Sequence, residues 1–181
     1  MMNSPVDEKV GAAVTLGLLA AWALHDAEEL ATVPGWWRRE LPALRERFPT
    51  VPEAVWRRAG SVDGREFAVA VGAMAALVAA ASAAGRLTGG RSAAYQTALN
   101  AFGLHGLVHL AQAVAVRGYT PGSATSPLVV VPFTLWARHR LRRAGVLRAT
   151  RPRDLAVGLG LAAAATVGAH AVARRLTGHG A

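Results

Sequence analysis

Hydrophobic and polar positions along this chain fall in blocks rather than in the short alternation of an amphipathic helix or strand. Five stretches carry no formal charge when histidine is counted as neutral, at 10–24, 67–85, 92–116, 118–137 and 155–173. Four of them have 19 residues or more, close to the roughly 20 that an apolar helix needs to cross a bilayer. A soluble amphipathic helix places charge on its wet face at almost every turn, and these stretches do not. The pattern predicts membrane-spanning helices.

The expected fold is all-α, a polytopic transmembrane helix bundle of about five spans in a single membrane domain covering 1–181. The spans are predicted at about 10–30, 66–85, 93–116, 126–140 and 155–173. The fourth segment contains three prolines, which predict a tight turn over 117–125 followed by a kinked helix. Small residues in the second and fifth spans, such as Gly72, Gly160 and Gly168, predict close helix packing. The alternatives are a soluble alanine-rich bundle and, for the first segment, a cleaved signal sequence with an atypical acidic leader.

The stretch 31–65 is predicted to be an interfacial loop containing a short amphipathic segment. It places tryptophans beside arginines, as membrane interfaces do, in Trp36-Trp37-Arg38-Arg39 and Trp56-Arg57-Arg58. Pro42, Pro49 and Pro52 predict that no single helix runs through it. We expect one or two short helices lying on the membrane, with a partner or headgroup site as the functional alternative.

Composition narrows the function classes. The 181 residues include 20 basic and 11 acidic side chains, a net charge of +9, and no cysteine. The missing cysteines exclude disulfides and thiolate metal sites. The basic residues lie between apolar blocks, notably in a basic loop at 138–154, so nucleic acid is not an expected partner. Ten basic residues fall on each side of five spans, which leaves the orientation open. Arginine and alanine dominate, as in high-GC bacteria, and predict the cytoplasmic (inner) membrane of a bacterium.

Three predicted spans hold ionisable residues at interior positions. The first ends with His25, Glu28 and Glu29, which share a helix face by their spacing. The third contains His105 and His109, four residues apart, and the fifth contains a single histidine, His170. Odd-numbered spans run in the same direction, and at 1.5 Å per residue all four histidines lie roughly 20 Å from the entry face. We therefore expect them at one level in the bundle.

Imidazole and carboxylate groups at one level predict a metal site, because ionisable groups are expensive in a membrane unless paired or metal-bound. The predicted ligands are His25, Glu28, Glu29, His105, His109 and His170, with Asn100 and Gln112 as supporting residues. These donors suit a divalent metal, Zn or Fe, as one ion or two. The alternatives are interhelical hydrogen bonds for the histidines, haem ligation, and pairing of the carboxylates with Arg38 or Arg39 at the interface. Asp26 is expected to face that interface.

The run His25-Asp26-Ala27-Glu28-Glu29, followed by Pro34-Gly35-Trp36, resembles the HXXEE family of small bacterial integral membrane proteins. That family also has a later Asn and a His-x-x-x-His element, which resemble Asn100 and the pair His105 and His109. The resemblance implies a membrane placement and these site residues, and it supplies no reaction.

Intramembrane glutamic proteases are a second comparison, since they also combine a Glu-Glu pair with histidines on other spans. Val33 stands where their arginine would be, and Phe102 precedes His105 by three residues instead of four. Protease activity is therefore a minor alternative.

The leading functional hypothesis is a membrane-embedded, metal-dependent enzyme acting on a membrane lipid or an apolar small molecule. Glu28 or Glu29 would be the catalytic carboxylate, as a general base. One zinc ion would suit a hydrolase, and two iron ions would suit an oxidoreductase. The alternatives are a proton- or ion-coupled transporter that uses the same cluster, and a non-catalytic membrane subunit. The sequence determines neither the substrate nor the oligomeric state.

Overall fold

The computed structural model of the protein describes residues 10–61, 63–149 and 152–177. Within these ranges every regular element is helical: α1 Ala12–Thr15, α2 Gly17–Arg47, α3 Glu53–Gly60, α4 Gly64–Leu87, α5 Ala93–Val116, a π-helical turn Ser126–Val130, α6 Val131–Arg143 and α7 Pro152–Thr177. The acidic leader and residues 150 and 151 of the predicted basic loop lie outside the described residues. The all-α class is confirmed.

Two helices in the described part of the chain, α4 and α5, are long and apolar enough to cross a membrane. Few residues of either apolar stretch are buried within the protein. Each begins with a side-chain cap, because Asp63 accepts a hydrogen bond from the Glu66 N–H and Ser92 accepts one from the Tyr95 N–H. Two of the five predicted spans thus meet the criterion on length and composition.

The prediction that no single helix runs through 31–65 is confirmed, because the chain leaves the helix at 48–52, where Pro49 and Pro52 lie, but the predicted interruption at Pro42 is wrong. Helix α2 continues through Pro34 and Pro42 to Arg47, and only then does the chain turn into the short α3. A proline inside a helix costs about 3 kcal/mol. Burial of large side chains offsets this cost, at about 1.5–3 kcal/mol each, in a cluster that joins α2 to α3: Trp36, Leu44 and Trp56.

The main core lies where α1, α2, α5, the π-helical turn and α6 meet. Tyr95 is fully buried there, and its hydroxyl donates a hydrogen bond to the Val14 carbonyl oxygen. Gly85 lets α4 approach α5 closely, since a Cβ at this position would lie 2.5 Å from Cγ of Tyr95. The predicted close packing does not involve Gly72, Gly160 or Gly168, which have open space around them.

The helix directions agree with the level argument from the sequence. His170 near the end of α7 contacts Glu66 at the start of α4, so these two helices are antiparallel. Helix α5 is also antiparallel to α4, because a short turn joins them. Helices α5 and α7 therefore run the same way. The chain then turns over 117–125 and continues as the π-helical turn and α6, which follows the prediction for the fourth segment.

Candidate metal centre

Three histidines and one carboxylate converge between α2 and α5. One ligand atom from each of His25, Glu29, His105 and His109 lies within 4.8 Å of all the others. Oε1 of Glu29 is 3.4 Å from Nε2 of His109. Its Oε2 is 3.9 Å from Nε2 of His105 and 4.0 Å from Nε2 of His25. We call these four residues the His/Glu group.

Helix periodicity explains why these side chains meet. His105 and His109 are one turn apart on α5, and His25 and Glu29 are one turn apart on α2, so each pair lies on one face of its helix. The imidazole Nε2 atoms of the α5 pair are 2.9 Å apart. The ring of His25 packs edge-on against both of them, with centroid distances of 5.1 and 5.0 Å. Four of the six predicted metal ligands are therefore together.

The surroundings of His25 fix where its proton lies. The Thr125 hydroxyl donates to Oε2 of Glu28 at 2.6 Å, so its oxygen accepts from Nδ1–H of His25 at 2.7 Å. The unprotonated Nε2 then faces Glu29 with its lone pair. His25 is fully buried, and this Nε2 has no hydrogen-bond partner among the described residues. A buried nitrogen left without a partner is unfavourable, and a metal ion at this point would satisfy it.

The spacing of the donor atoms fits one metal ion. Two nitrogens at 2.0–2.1 Å from a tetrahedral zinc ion lie about 3.4 Å apart. The donor atoms of the His/Glu group lie from 2.9 Å apart, for the two Nε2 atoms of the α5 pair, up to at most 4.8 Å apart, so the widest pair would have to close by up to about 1.4 Å around an ion. Imidazole and carboxylate ligands suit Zn, Fe and Mn. The described residues thus contain a His/Glu group that could bind a metal.

Glu28 does not join this group, contrary to the sequence prediction. Adjacent residues on a helix point about 100° apart, so Glu28 faces the turn over 117–125 while its neighbour faces the histidines. Its carboxylate accepts five hydrogen bonds, from the Tyr119 hydroxyl, the backbone N–H groups of Gly122, Ala124 and Thr125, and the Thr125 hydroxyl. Glu28 therefore holds the turn and, through Thr125, orients His25.

The turn over 117–125 also packs against His109 of the His/Glu group. Gly122 has φ +80°, in the region that favours glycine, and a Cβ there would lie 2.7 Å from Cε1 and Nδ1 of His109. Thr120 is buried beside it. The sequence analysis missed this turn as part of the site. The available signal was a run of small and hydroxyl-bearing residues, Gly118 to Ser126, inside an uncharged segment.

One side of the His/Glu group is open. The His105 side chain is 45% exposed, whereas Glu29 is 13% exposed. Val108, three residues after His105 on α5, and Leu24, next to His25 in the sequence, are exposed apolar residues. The group is therefore accessible on the side of His105.

Tyr119 lies at the outer end of the turn and is half exposed. Desolvation raises the pKa of Tyr119, and its hydrogen bond to Glu28 acts in the same direction. The phenol therefore keeps its proton and donates a hydrogen bond to the Glu28 carboxylate.

The remaining predicted residues lie elsewhere. Nδ1 of His170 is 3.0 Å from Oε1 of Glu66, which also pairs with Arg58, so His170 belongs to a separate contact. Asn100 accepts a hydrogen bond from Arg138 of α6. Gln112 is exposed, and Asp26 is buried rather than at an interface. The structure therefore does not bring His170, Asn100 or Gln112 to the His/Glu group, where the sequence predicted them.

Comparison with known proteins gives one result. A family model described as "Protein of unknown function with HXXEE motif" matches residues 16–137, more than half of the chain. No curated protein and no solved structure matches. The matched range contains α2, α5, the turn that Glu28 holds and all four residues of the His/Glu group. The chain belongs to the HXXEE-motif family.

Proposed function

We propose that the protein is a membrane-embedded enzyme that uses one divalent metal ion in the His/Glu group and acts on an apolar or lipid-like substrate. The observation that carries this proposal is that three imidazoles and one carboxylate come together, and that one of these imidazoles, His25, has a buried Nε2 atom without a hydrogen-bond partner among the described residues. The position of Glu28 outside the group favours one ion over a di-iron site, which needs more carboxylates.

The membrane part of the proposal rests on α4 and α5, few of whose residues are buried within the protein. Exposed apolar surface of this extent is stable in lipid and unfavourable in water. We propose that these helices span the membrane together with the three other predicted segments, as a five-span bundle in the inner membrane of a bacterium. The exposed side of His105 on α5 would then face lipid, which supports an apolar substrate.

The residues would divide the work as follows. His25, His105 and His109 would hold the ion through their Nε2 atoms. A bound divalent ion would supply Lewis acidity toward a carbonyl or phosphoryl oxygen. Glu29 would complete the ligand set, and its second oxygen would accept a proton from the attacking group. Glu28 and Thr125 would keep the proton of His25 on Nδ1, as such outer partners do for metal-binding histidines.

Metal content and lipid conversion test the proposal together. Purified wild-type protein should contain about one metal ion per chain by plasma mass spectrometry, and His109→Ala should contain about a tenth of that or less. His139→Ala is the matched control, because His139 is an exposed histidine on α6. Bacterial lipid extract incubated with wild type, but not with His109→Ala, should lose one species and gain another.

Two results would contradict the proposal. One is a folded wild-type protein that takes up no divalent metal even when zinc, iron or manganese is added. The other is a metal-loaded protein that leaves every lipid and apolar metabolite in the extract unchanged.

Proton-coupled transport is a second candidate, favoured by one feature. A chain of hydrogen bonds runs from the half-exposed Tyr119 through Glu28 and Thr125 to His25. Such chains of ionisable groups form proton relays in membrane proteins. The same hydrogen bonds would also orient His25 in a metal site. The chain of bonds therefore does not distinguish transport from metal binding, and a measurement of proton flux does.

Reconstituted liposomes with an internal pH-sensitive dye distinguish the two. A transporter should show proton flux in wild type and lose most of it in Tyr119→Phe, since this change removes the outermost hydroxyl and keeps the ring. Tyr95→Phe, at the other end of the molecule, is the control. No flux above that of empty liposomes would contradict transport.

A further inference from the structure

A second polar site lies at the other end of the molecule. It is a cavity of ≈ 420 Å³ between the end of α6 and the loop that follows it, lined by Arg138, Arg142, Gly145, Leu147, Arg148 and Ala149. Gln96, which holds this loop, precedes His109 on α5 by 13 residues. At 1.5 Å per residue the cavity is about 20 Å from the His/Glu group. We call it the basic pocket.

The wall of the basic pocket is held in place by the protein itself. The side-chain N–H groups of Gln96 donate to the carbonyl oxygens of Gly90 and Val146, both at 2.8 Å. Its amide oxygen accepts from the Arg148 N–H at 2.8 Å. Gln96 is buried, so these bonds are shielded from water. The loop after α6 is thereby fixed to the first turn of α5, and the pocket is preformed.

The lining of the pocket contains three arginines and no acidic residue. Between Arg138 and Arg153 the sequence contains seven arginines and no acidic residue. Among the side chains that the structure describes, which do not include that of Asp154, the three arginines that line the pocket form no ion pair with a carboxylate, and Arg138 donates to the neutral Asn100. Like charges around one cavity repel each other, and an anion between them relieves this repulsion. The planar guanidinium fork matches phosphate oxygens well.

Apolar surface adjoins the arginines. Leu135, Arg138 and Arg142 are spaced to lie along one side of α6, and Leu135 is 64% exposed. Trp136 next to it is also exposed. A free phosphate needs no apolar neighbour, whereas a phospholipid carries acyl chains directly below its phosphate. Aromatic and apolar side chains beside arginines are typical of a lipid headgroup boundary.

We propose that the basic pocket binds the phosphate group of an anionic phospholipid, with the acyl chains along the exposed apolar side of α6. Arg142 and Arg148 would contact the phosphate, and Arg138 would complete the pocket from its position on Asn100. The site is separate from the His/Glu group, and its occupancy does not depend on metal.

Titration of the full-length protein in an uncharged maltoside detergent tests this. The probes are short-chain phosphatidylglycerol, short-chain phosphatidylcholine and inorganic phosphate, and the readouts are the ligand-induced change in tryptophan fluorescence, to be lost in Trp136→Phe, and the thermal midpoint. Phosphatidylglycerol should bind and raise the midpoint. The double variant Arg142→Gln/Arg148→Gln should bind it about 10-fold more weakly or worse, since two charge-assisted contacts are lost.

The matched control is Arg86→Gln/Arg91→Gln, which removes two exposed charges at the same end without touching the pocket. It should bind phosphatidylglycerol within about 2-fold of wild type. All variants should keep the helical circular dichroism of wild type. Equal weakening in both double variants would overturn the site, leaving general charge attraction. Inorganic phosphate binding as tightly as phosphatidylglycerol would overturn the lipid assignment, and equal binding of phosphatidylcholine would overturn the role of the arginines.

Discussion

Glu29→Gln is expected to leave the purified protein almost free of metal, whereas Glu28→Gln is expected to retain it at saturating metal. The two glutamates are neighbours in the motif, but only Glu29 lies among the three histidines. Its amide variant would keep the shape and lose the charge that balances a divalent ion. Glu28 acts through Thr125 on His25, and changes in such outer partners weaken metal affinity by about 10–100-fold. Metal titration followed by plasma mass spectrometry measures both effects.

Thermal stability should show the opposite order: Glu28→Gln, which retains metal, should be the less stable of the two variants. Glu28→Gln replaces a carboxylate that accepts five hydrogen bonds with an amide whose NH2 group cannot accept any. Its thermal midpoint should therefore fall below that of Glu29→Gln. Glu46→Gln, at an exposed position of the same helix, is the control for charge loss. Metal loss in Glu28→Gln with full retention in Glu29→Gln would reverse the assignment of the two roles.

Gly122→Ala is expected to destabilise the protein by about 2–5 kcal/mol and to release the metal. A left-handed backbone costs an L-residue about 1–2 kcal/mol, and forcing a methyl group into a packed site costs about 1–3 kcal/mol more. The added Cβ would lie 2.7 Å from the His109 ring. Either the ring or the turn has to move, and the Gly122 N–H bond to Glu28 is lost with the turn. Thermal unfolding in detergent and metal analysis of the same sample measure the two effects.

Gly89→Ala separates the two costs. Gly89 also has positive φ, +58°, but its Cβ would meet only the end of the flexible Arg91 side chain at 3.5 Å. It should show the backbone cost alone, about 1–2 kcal/mol, with unchanged metal content. If both alanine variants behaved alike, the contact between the turn and His109 would be irrelevant to the site.

The sequence predicted the members of the His/Glu group because helix spacing is a local property. His25 with Glu29, and His105 with His109, are each one turn apart, so their shared face follows from the chain alone. Their common level followed from the expected direction of the helices. His170 met the same level criterion but lies beside Glu66. Level along an axis does not specify rotation about it, and rotation depends on packing.

The role of Glu28 could not be predicted from the motif. Spacing places both glutamates within reach of His25's face, and only the fold decides that the turn over 117–125 covers one of them. The continuation of α2 through Pro34 and Pro42 was missed for a related reason. Local rules for proline are strong, yet Trp36 also donates a hydrogen bond to the Tyr119 carbonyl oxygen from a buried position. That partner is 83 residues away.

The π-helical turn Ser126–Val130 determines how α6 is rotated relative to the turn over 117–125. Before it, the chain is anchored at Thr125 by Glu28; after it, α6 is anchored by the bond between Arg138 and Asn100. A π-helical turn contains one more residue than an α-helical turn. Loss of one residue there would rotate all of α6 by about 100° relative to the anchored turn. The inserted residue thus sets the rotation of α6 about its axis. With this rotation, Thr125 can contact Glu28 while Arg138, on the arginine-lined side of α6, contacts Asn100.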